Sequence, residues 1–178
     1  MVDARETVVL VDEHDREVGL APKLDAHVSG ALHRAFSVFV LNARGEVLLQ
    51  RRADGKYHCG GLWTNTCCGH PRPGEPVAAA ARRRLREEMG FDCVLASAGA
   101  FVYRADVGGG LREHEYDHVF IGRHDLAPAP DAEEASDWRW QSPDSALAEA
   151  EAHPERFTPW FALALRKLIE RRGGDLAA

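Results

Sequence analysis

Three short stretches hold most of the residue types that can bind a metal or carry a proton. "WTNTCCGHPRPGE", residues 63–75, contains the adjacent Cys67 and Cys68 with His70 and Glu75. "DAHVSGALHRAF", residues 25–36, supplies His27 and His33, and "REHEYDHVF", residues 112–120, supplies Glu113 and Glu115. Adjacent thiols beside an imidazole admit several chemistries: a metal site, a disulfide, a nucleophile or a proton carrier. Side chains on an extended segment alternate between faces, so Cys68 and His70 project together while Cys67 points away. By the same alternation Glu113 and Glu115 share a face and His114 takes the other. Three imidazoles and two carboxylates make a mixed nitrogen and oxygen donor set, suited to a divalent transition metal or magnesium.

A scaffold must bring these stretches together. The chain has 178 residues, close to one ordinary domain. No repeat, linker or composition shift divides it, so residues 1–178 read as a single domain. "TVVLV", residues 7–11, predicts a strand, followed by a turn at "DEHDRE". "RAFSVFVL" predicts a longer strand, and "NARGE" supplies a turn before "VLLQRR", so residues 34–52 read as a hairpin. Further strands are expected around 62–68, 100–105, 114–122 and 137–141.

Two helices are well marked. "EPVAAAARRRLREEMG" has Pro76 suited to the first helical position and Gly90 suited to the position after the last turn. "TPWFALALRKLIERRGG" offers Thr158 as N-cap, Pro159 next and Gly173 past the last turn. "SPDSALAEA" predicts a short third helix. Hairpin strands interrupted by a few helices indicate an α+β class with layered α/β/α architecture and a mixed sheet, not a doubly wound parallel one.

Net charge is −6, from 22 basic and 28 acidic residues, which argues against nucleic acid as the main partner. A local basic cluster can still hold a small anion. Cys59, Cys67, Cys68 and Cys93 show no paired C-x-x-C spacing, so free thiols are expected. No run is apolar enough to cross a bilayer, and "MVDARETVVL" lacks the pattern of a secretory signal. A cytoplasmic protein is the simplest expectation.

The segment from Gly69 to Phe91 has the spacing of a Nudix box: Gly69, five residues, Glu75, seven residues, then "RRLREEMGF". The box usually carries Arg-Glu where this chain has Arg83-Arg84. A cation at Arg84 weakens an acidic cluster that would activate water for hydrolysis. Together with "TNTCCGH", the upstream histidines and the downstream Glu-x-Glu, the chain resembles type I isopentenyl-diphosphate isomerases. These are Nudix-fold enzymes of isoprenoid synthesis, and the resemblance runs from about residue 6 to the final helix.

That resemblance implies a metal-dependent 1,3-proton shift converting isopentenyl diphosphate to dimethylallyl diphosphate. It implies His27, His33, His70, Glu113 and Glu115 as ligands of one divalent metal, Mn2+, Mg2+ or Zn2+. It implies a second Mg2+ bridging the diphosphate to the protein through Glu88 and the backbone carbonyl of Cys68. Cys68 and Glu115 are the candidate acid/base groups, one on each side of a flat five-carbon unit, with the order of transfer open. Trp160 matches a tryptophan whose ring face stabilises a carbocation, and equally suits a staple holding the last helix to the core. Tyr103 matches a tyrosine that hydrogen-bonds near the acid/base pair. Lys23, Arg52, Lys56 and Arg84 match diphosphate-binding positions, which recasts Arg84 as an anchor. The expected partner is a small-molecule diphosphate, with no nucleic acid or membrane, and the chain is expected as a monomer or weak homodimer. Two rivals share some of these features. A Nudix hydrolase needs the box but not Cys68, His27 or His33. A structural metal scaffold would use tight four-ligand spacing, which is missing here.

Overall fold

The computed structural model describes residues 6–175. The chain opens with strands β1 (Thr7–Val11) and β2 (Glu17–Pro22), then helix α1 (Lys23–Ser29). Strands β3 (His33–Leu41), β4 (Val47–Arg52), β5 (Trp63–Thr64) and β6 (Cys67–Gly69) precede helix α2 (Val77–Met89). Strands β7 (Ala96–Gly108), β8 (Leu111–Arg123) and β9 (Ala135–Gln141) lead to helices α3 (Pro143–Ala152) and α4 (Phe161–Asp175). Among the described residues no helix is long and apolar enough to cross a membrane.

Strand β3 is the hub. Strand β8 runs parallel to it along its whole length, from His33 opposite Glu115 to Leu41 opposite Arg123. One edge of β3 is thereby filled. The other edge is shared in sequence by β1 at His33, β6 at residues 36–38 and β4 at Leu41. Alternation along β3 then divides the core. Phe36, Val38 and Val40 pack with Ala80, Ala81, Leu85 and Met89 of α2. Phe39 and Leu41 face the other way, against Ala146 and Ala150 of α3 and Phe161, Leu165 and Leu168 of α4. Helices therefore cover both faces of a mixed sheet, the layered α/β/α arrangement expected. Burying each of these large side chains contributes about 1.5–3 kcal/mol.

The predicted hairpin over residues 34–52 needs correction. Strands β3 and β4 pair only at Leu41 and Val47, beside the turn, and then part. Residues 63–69 fill the gap, entering against β4 and leaving against β3. Thr66 bridges the separated strands: its Oγ1 accepts from Val40 N–H at 2.9 Å and donates to Leu48 O at 2.7 Å. The strand expected near 62–68 is accordingly two short ones.

The other differences lie at element ends. Pro76 is the cap residue of α2, one before the helix, while Gly90 ends it at φ 76° as expected. The Thr158 hydroxyl, expected as an N-cap, hydrogen-bonds Thr64 Oγ1 at 2.8 Å, and helix α4 begins at Phe161. Helix α4 continues through Gly173 to Asp175 instead of stopping before it. Strand β2 and helix α1 carry no clear local signal in the sequence. Helix α1 is only seven residues long and is closed by Gly30 at φ 69°, whose N–H bonds Ala26 O.

Candidate active site

The site lies where the inner face of β8, β3 and β7 runs out of apolar cover. On that face Val119 and Phe39 are sealed under α4, whereas Glu115, Glu113, His33 and Tyr103 line an open cleft of about 1090 Å³ or stand behind it. Helix α1 adds His27 from above the start of β3. The segment after β6 adds His70.

These side chains form a buried cluster. His27 donates from Nδ1 to Lys23 O at 2.6 Å, and His33 from Nδ1 to Ala31 O at 2.9 Å. A carbonyl only accepts, so Nδ1 carries a proton in each ring, and in the neutral imidazole Nε2 offers its lone pair inward, with the Tyr57 hydroxyl 3.3 Å from His27 Nε2. His27 Nε2 meets Glu113 Oε2 at 3.1 Å, and His33 Nε2 meets Glu115 Oε1 at 3.5 Å. His70 Nε2 lies 2.9 Å from the same Glu115 oxygen. His33 Nε2 and Glu113 Oε2 are buried without a hydrogen-bond partner. Acceptors converging on acceptors need a positive charge between them, and nitrogen and carboxylate donors fit a divalent cation. His27, His33, His70 and Glu115 can each offer one ligand atom within a common reach of 4.8 Å. Glu113 belongs to an overlapping group with His27 and His58. All five expected ligands are thus brought together, and His58 joins them unforeseen.

Cys67 and Cys68 separate as alternation requires. Strand β6 sets Cys67 opposite Val38 and Cys68 opposite Ser37. Cys67 is fully buried under α2, while Cys68 is half-buried and lines the cleft. Burial pushes the Cys68 thiol up; the Arg52 guanidinium, with Nη1 3.9 Å from Sγ, pulls the other way without cancelling it. The thiol therefore keeps its proton at neutral pH. Burial would likewise raise Glu115, and Glu113 adds to that, but imidazole contacts, the 2.9 Å hydrogen bond from His70 among them, outweigh both and hold it below its ordinary value. Tyr103 donates to Glu115 Oε2 at 2.6 Å. The cleft thus presents a protonated thiol and an ionised carboxylate on strands flanking β3, a separation of tendencies that suits acid/base work.

Trp160 resolves toward the cleft. It lines the cavity, donates from Nε1 to Asn65 Oδ1 at 3.3 Å, and carries the Arg52 guanidinium 5.7 Å over its ring. Lys23, Arg52, Lys56 and Arg84 all line the same cleft. Lys23 pairs with Glu6 at 2.8 Å, Lys56 with Glu134, and Arg84 with Glu88 and Glu87 at 2.8 and 2.7 Å. Arg52 pairs with no carboxylate among the described residues. Glu88 is buried, its Oε2 accepting from Gln50 Nε2 at 2.8 Å and its Oε1 from Arg84. Arg82 and Arg86 point away and share Asp92.

Sequence reasoning missed His58, Asn65, Thr66 and Asp117. Asp117 follows Glu113 and Glu115 at the next alternate position, so the period of two could have found it. It accepts from Ser37 Oγ at 2.8 Å, and burial with the nearby Glu115 charge raises its carboxyl well above the ordinary value. His58 stands on the loop between β4 and β5, where no local pattern points at the cluster.

A NUDIX domain matches residues 31–161, and the loop, α2 and the following loop supply the corresponding geometry, so the chain is a Nudix-domain protein. Solved structures agree on the fold. The protein DR0079 of Deinococcus radiodurans superposes with a TM-score of 0.76 at 22% identity, covering 91% of this chain and 98% of that one. An Ap4A hydrolase of C. elegans gives 0.58 at 19% identity, covering 79% of this chain and 98% of that one. Sequence relatives are closer. "Isopentenyl-diphosphate Delta-isomerase 2" of Aromatoleum aromaticum is 54% identical over 94% of this chain and 88% of its own length. The "Isopentenyl-diphosphate Delta-isomerase" of Burkholderia multivorans is 50% identical over 94% of this chain and 93% of its own length. Within the Nudix class, the chain belongs to the isopentenyl-diphosphate delta-isomerase family.

Proposed function

We propose that this enzyme converts isopentenyl diphosphate to dimethylallyl diphosphate by a 1,3-proton shift, using Cys68 and Glu115 as its two proton carriers. The observation that carries the assignment is their placement in one cleft on strands that flank β3, two strand spacings or roughly 10 Å apart laterally. A flat five-carbon unit lying between them would receive a proton at the terminal alkene carbon from one side. It would lose a proton from the neighbouring methylene on the other side, and the double bond moves one position. Atoms balance, because one proton enters and one leaves.

Each neighbour has a part. Arg52 stabilises the thiolate formed whenever Cys68 gives up its proton, and it offers an unpaired guanidinium to the diphosphate. Lys23, Lys56 and Arg84 line the same mouth and complete the anionic grip. The Trp160 face, fixed by Asn65, stabilises a tertiary carbocation by about 0.5–2 kcal/mol without offering it a nucleophile. Tyr103 orients Glu115 from one oxygen while His70 holds the other. Exclusion of water by the bound substrate prevents capture of the cation as an alcohol.

His27, His33, His70, Glu113 and Glu115 would hold the resident divalent metal, Mn2+, Mg2+ or Zn2+. Bound there, the ion supplies positive charge that fixes Glu115 and lowers its affinity for a proton. Glu88 and the Cys68 carbonyl would hold a second ion, Mg2+, against the diphosphate. Arg84 stands where a hydrolase box has an acid, and its guanidinium occupies Glu88 and Glu87, which favours isomerisation over water activation. The whole chain works as one domain, as a monomer or weak homodimer, with a small diphosphate and not nucleic acid or a membrane as its partner. A working thiol at Cys68 goes with a reducing, cytoplasmic setting.

Incubating isopentenyl diphosphate with the protein and divalent metal in deuterated water, followed by NMR, tests the reading. Dimethylallyl diphosphate carrying deuterium is expected. Release of phosphate without isomer would overturn it in favour of hydrolysis.

A further inference from the structure

His58 lies outside the ligand set implied by the sequence motifs, yet it is buried against that set. Its Nε2 is 2.9 Å from Glu113 Oε1, and its ring stacks on that of His27 with centroids 5.7 Å apart. The second oxygen of Glu113, Oε2, is the one that faces His27 Nε2 at 3.1 Å and has no hydrogen-bond partner. His27 has its Nδ1 bonded to Lys23 O, so only Nε2 can offer a lone pair, to one ion, and the Tyr57 hydroxyl lies 3.3 Å from that same atom. His27, His58 and Glu113 therefore do not form a second independent centre beside the first. Through the shared His27 they would converge on the ion that His33, His70 and Glu115 would also hold.

We propose that His58 is a positioning residue of the metal centre: its Nε2–H holds Glu113 by Oε1 so that Oε2 turns inward beside His27 as a donor. The proposal rests on the metal-centre reading above. Pairing of β7 with β8 fixes the Glu113 backbone opposite Ala105, but leaves the carboxylate free to turn about its side-chain bonds. A donor on the outer oxygen removes that freedom before the ion arrives. Outer partners of metal-bound carboxylates act in this way, and losing one commonly weakens affinity 10–100-fold. The loop between β4 and β5, which also carries Lys56, is thereby tied to the centre, and Tyr57 of the same loop adds a hydroxyl 3.3 Å from His27 Nε2.

Calorimetric titration of Mn2+ into chelator-stripped protein tests the proposal without reference to turnover. His58→Ala is expected to bind Mn2+ about 10–100-fold more weakly than wild type. His58→Gln, whose amide N–H can donate to the same oxygen, is expected to recover most of that loss. Circular dichroism of the metal-free variants separates a metal effect from misfolding. Affinity of His58→Ala within twofold of wild type overturns the positioning role. So does a folded His58→Gln as weak as His58→Ala, because the imidazole would then be needed as a ligand itself. If wild type takes up no Mn2+, the metal-centre reading falls and the proposal falls with it, an outcome distinct from the other two.

Discussion

Substituting the two adjacent cysteines separately should give opposite phenotypes. Cys68 stands opposite Ser37 on the cleft face of the sheet, and Cys67 opposite Val38 on the α2 face. Cys68→Ala removes a group that exchanges a proton with substrate. A positioned acid or base contributes about 10²–10⁴-fold, or roughly 3–5 kcal/mol of barrier. Turnover should fall by that factor while the fold is retained, since the thiol lines a cleft and fills no tight core. Cys67→Ala instead deletes one fully buried sulfur packed near Leu85 and Ala81. It should cost about 1 kcal/mol of stability, lowering the thermal midpoint by about 2–4 °C, with turnover within a few-fold of wild type. Deuterium incorporation into dimethylallyl diphosphate, followed by NMR, reads the first effect, and thermal unfolding by circular dichroism reads the second. An active Cys68→Ala with an inactive but stable Cys67→Ala would refute both the face assignment and the proposed proton carrier.

Tyr103→Phe removes the donor to Glu115 Oε2, a hydrogen bond to a charged group, so the rate in the same NMR assay should fall about 10–100-fold with stability little changed. Thr66→Val keeps the side-chain shape but orphans Val40 N–H and Leu48 O, so about 2–4 kcal/mol of stability should be lost in urea unfolding. Glu75 grips Arg83 with both oxygens at 2.8 Å, and that hydrogen-bonded guanidinium holds its carboxyl down from 4.5 to about 2. A depressed carboxyl stabilises the fold above its unfolded value and loses that contribution as pH falls from 4.5 toward 2. Glu75→Gln should therefore cost about 1 kcal/mol in urea at pH 7, after allowance for solvent screening, and the gap from wild type should narrow steadily below pH 4.5.

Much of the fold was legible because its signals are local. The alternating run of β3, the alanine-rich α2 stopped by Gly90, and the Ser142 cap of α3 all mark themselves in a few residues. Much of the candidate site was legible for the same reason. The alternation that parts Cys67 from Cys68 and joins Glu113 to Glu115 is a property of any extended segment, and the structure places each pair as that rule requires.

Other features depend on which distant pieces meet. "NARGE" specifies a turn, but not that the strands on either side must part. Only the insertion of Thr66 between Val40 and Leu48 decides that, through hydrogen bonds spanning 18 and 26 residues. Thr158 looks like a helix cap, yet its hydroxyl meets that of Thr64, 94 residues away in the chain. His58 carries no periodic signal at all, and it reaches Glu113 only because the loop after β4 folds over the cluster. The sequence by itself determined which residues share a face, since backbone geometry makes that local. The tertiary structure decided which faces confront each other, because strand-edge pairing and loop closure depend on contacts far apart along the chain.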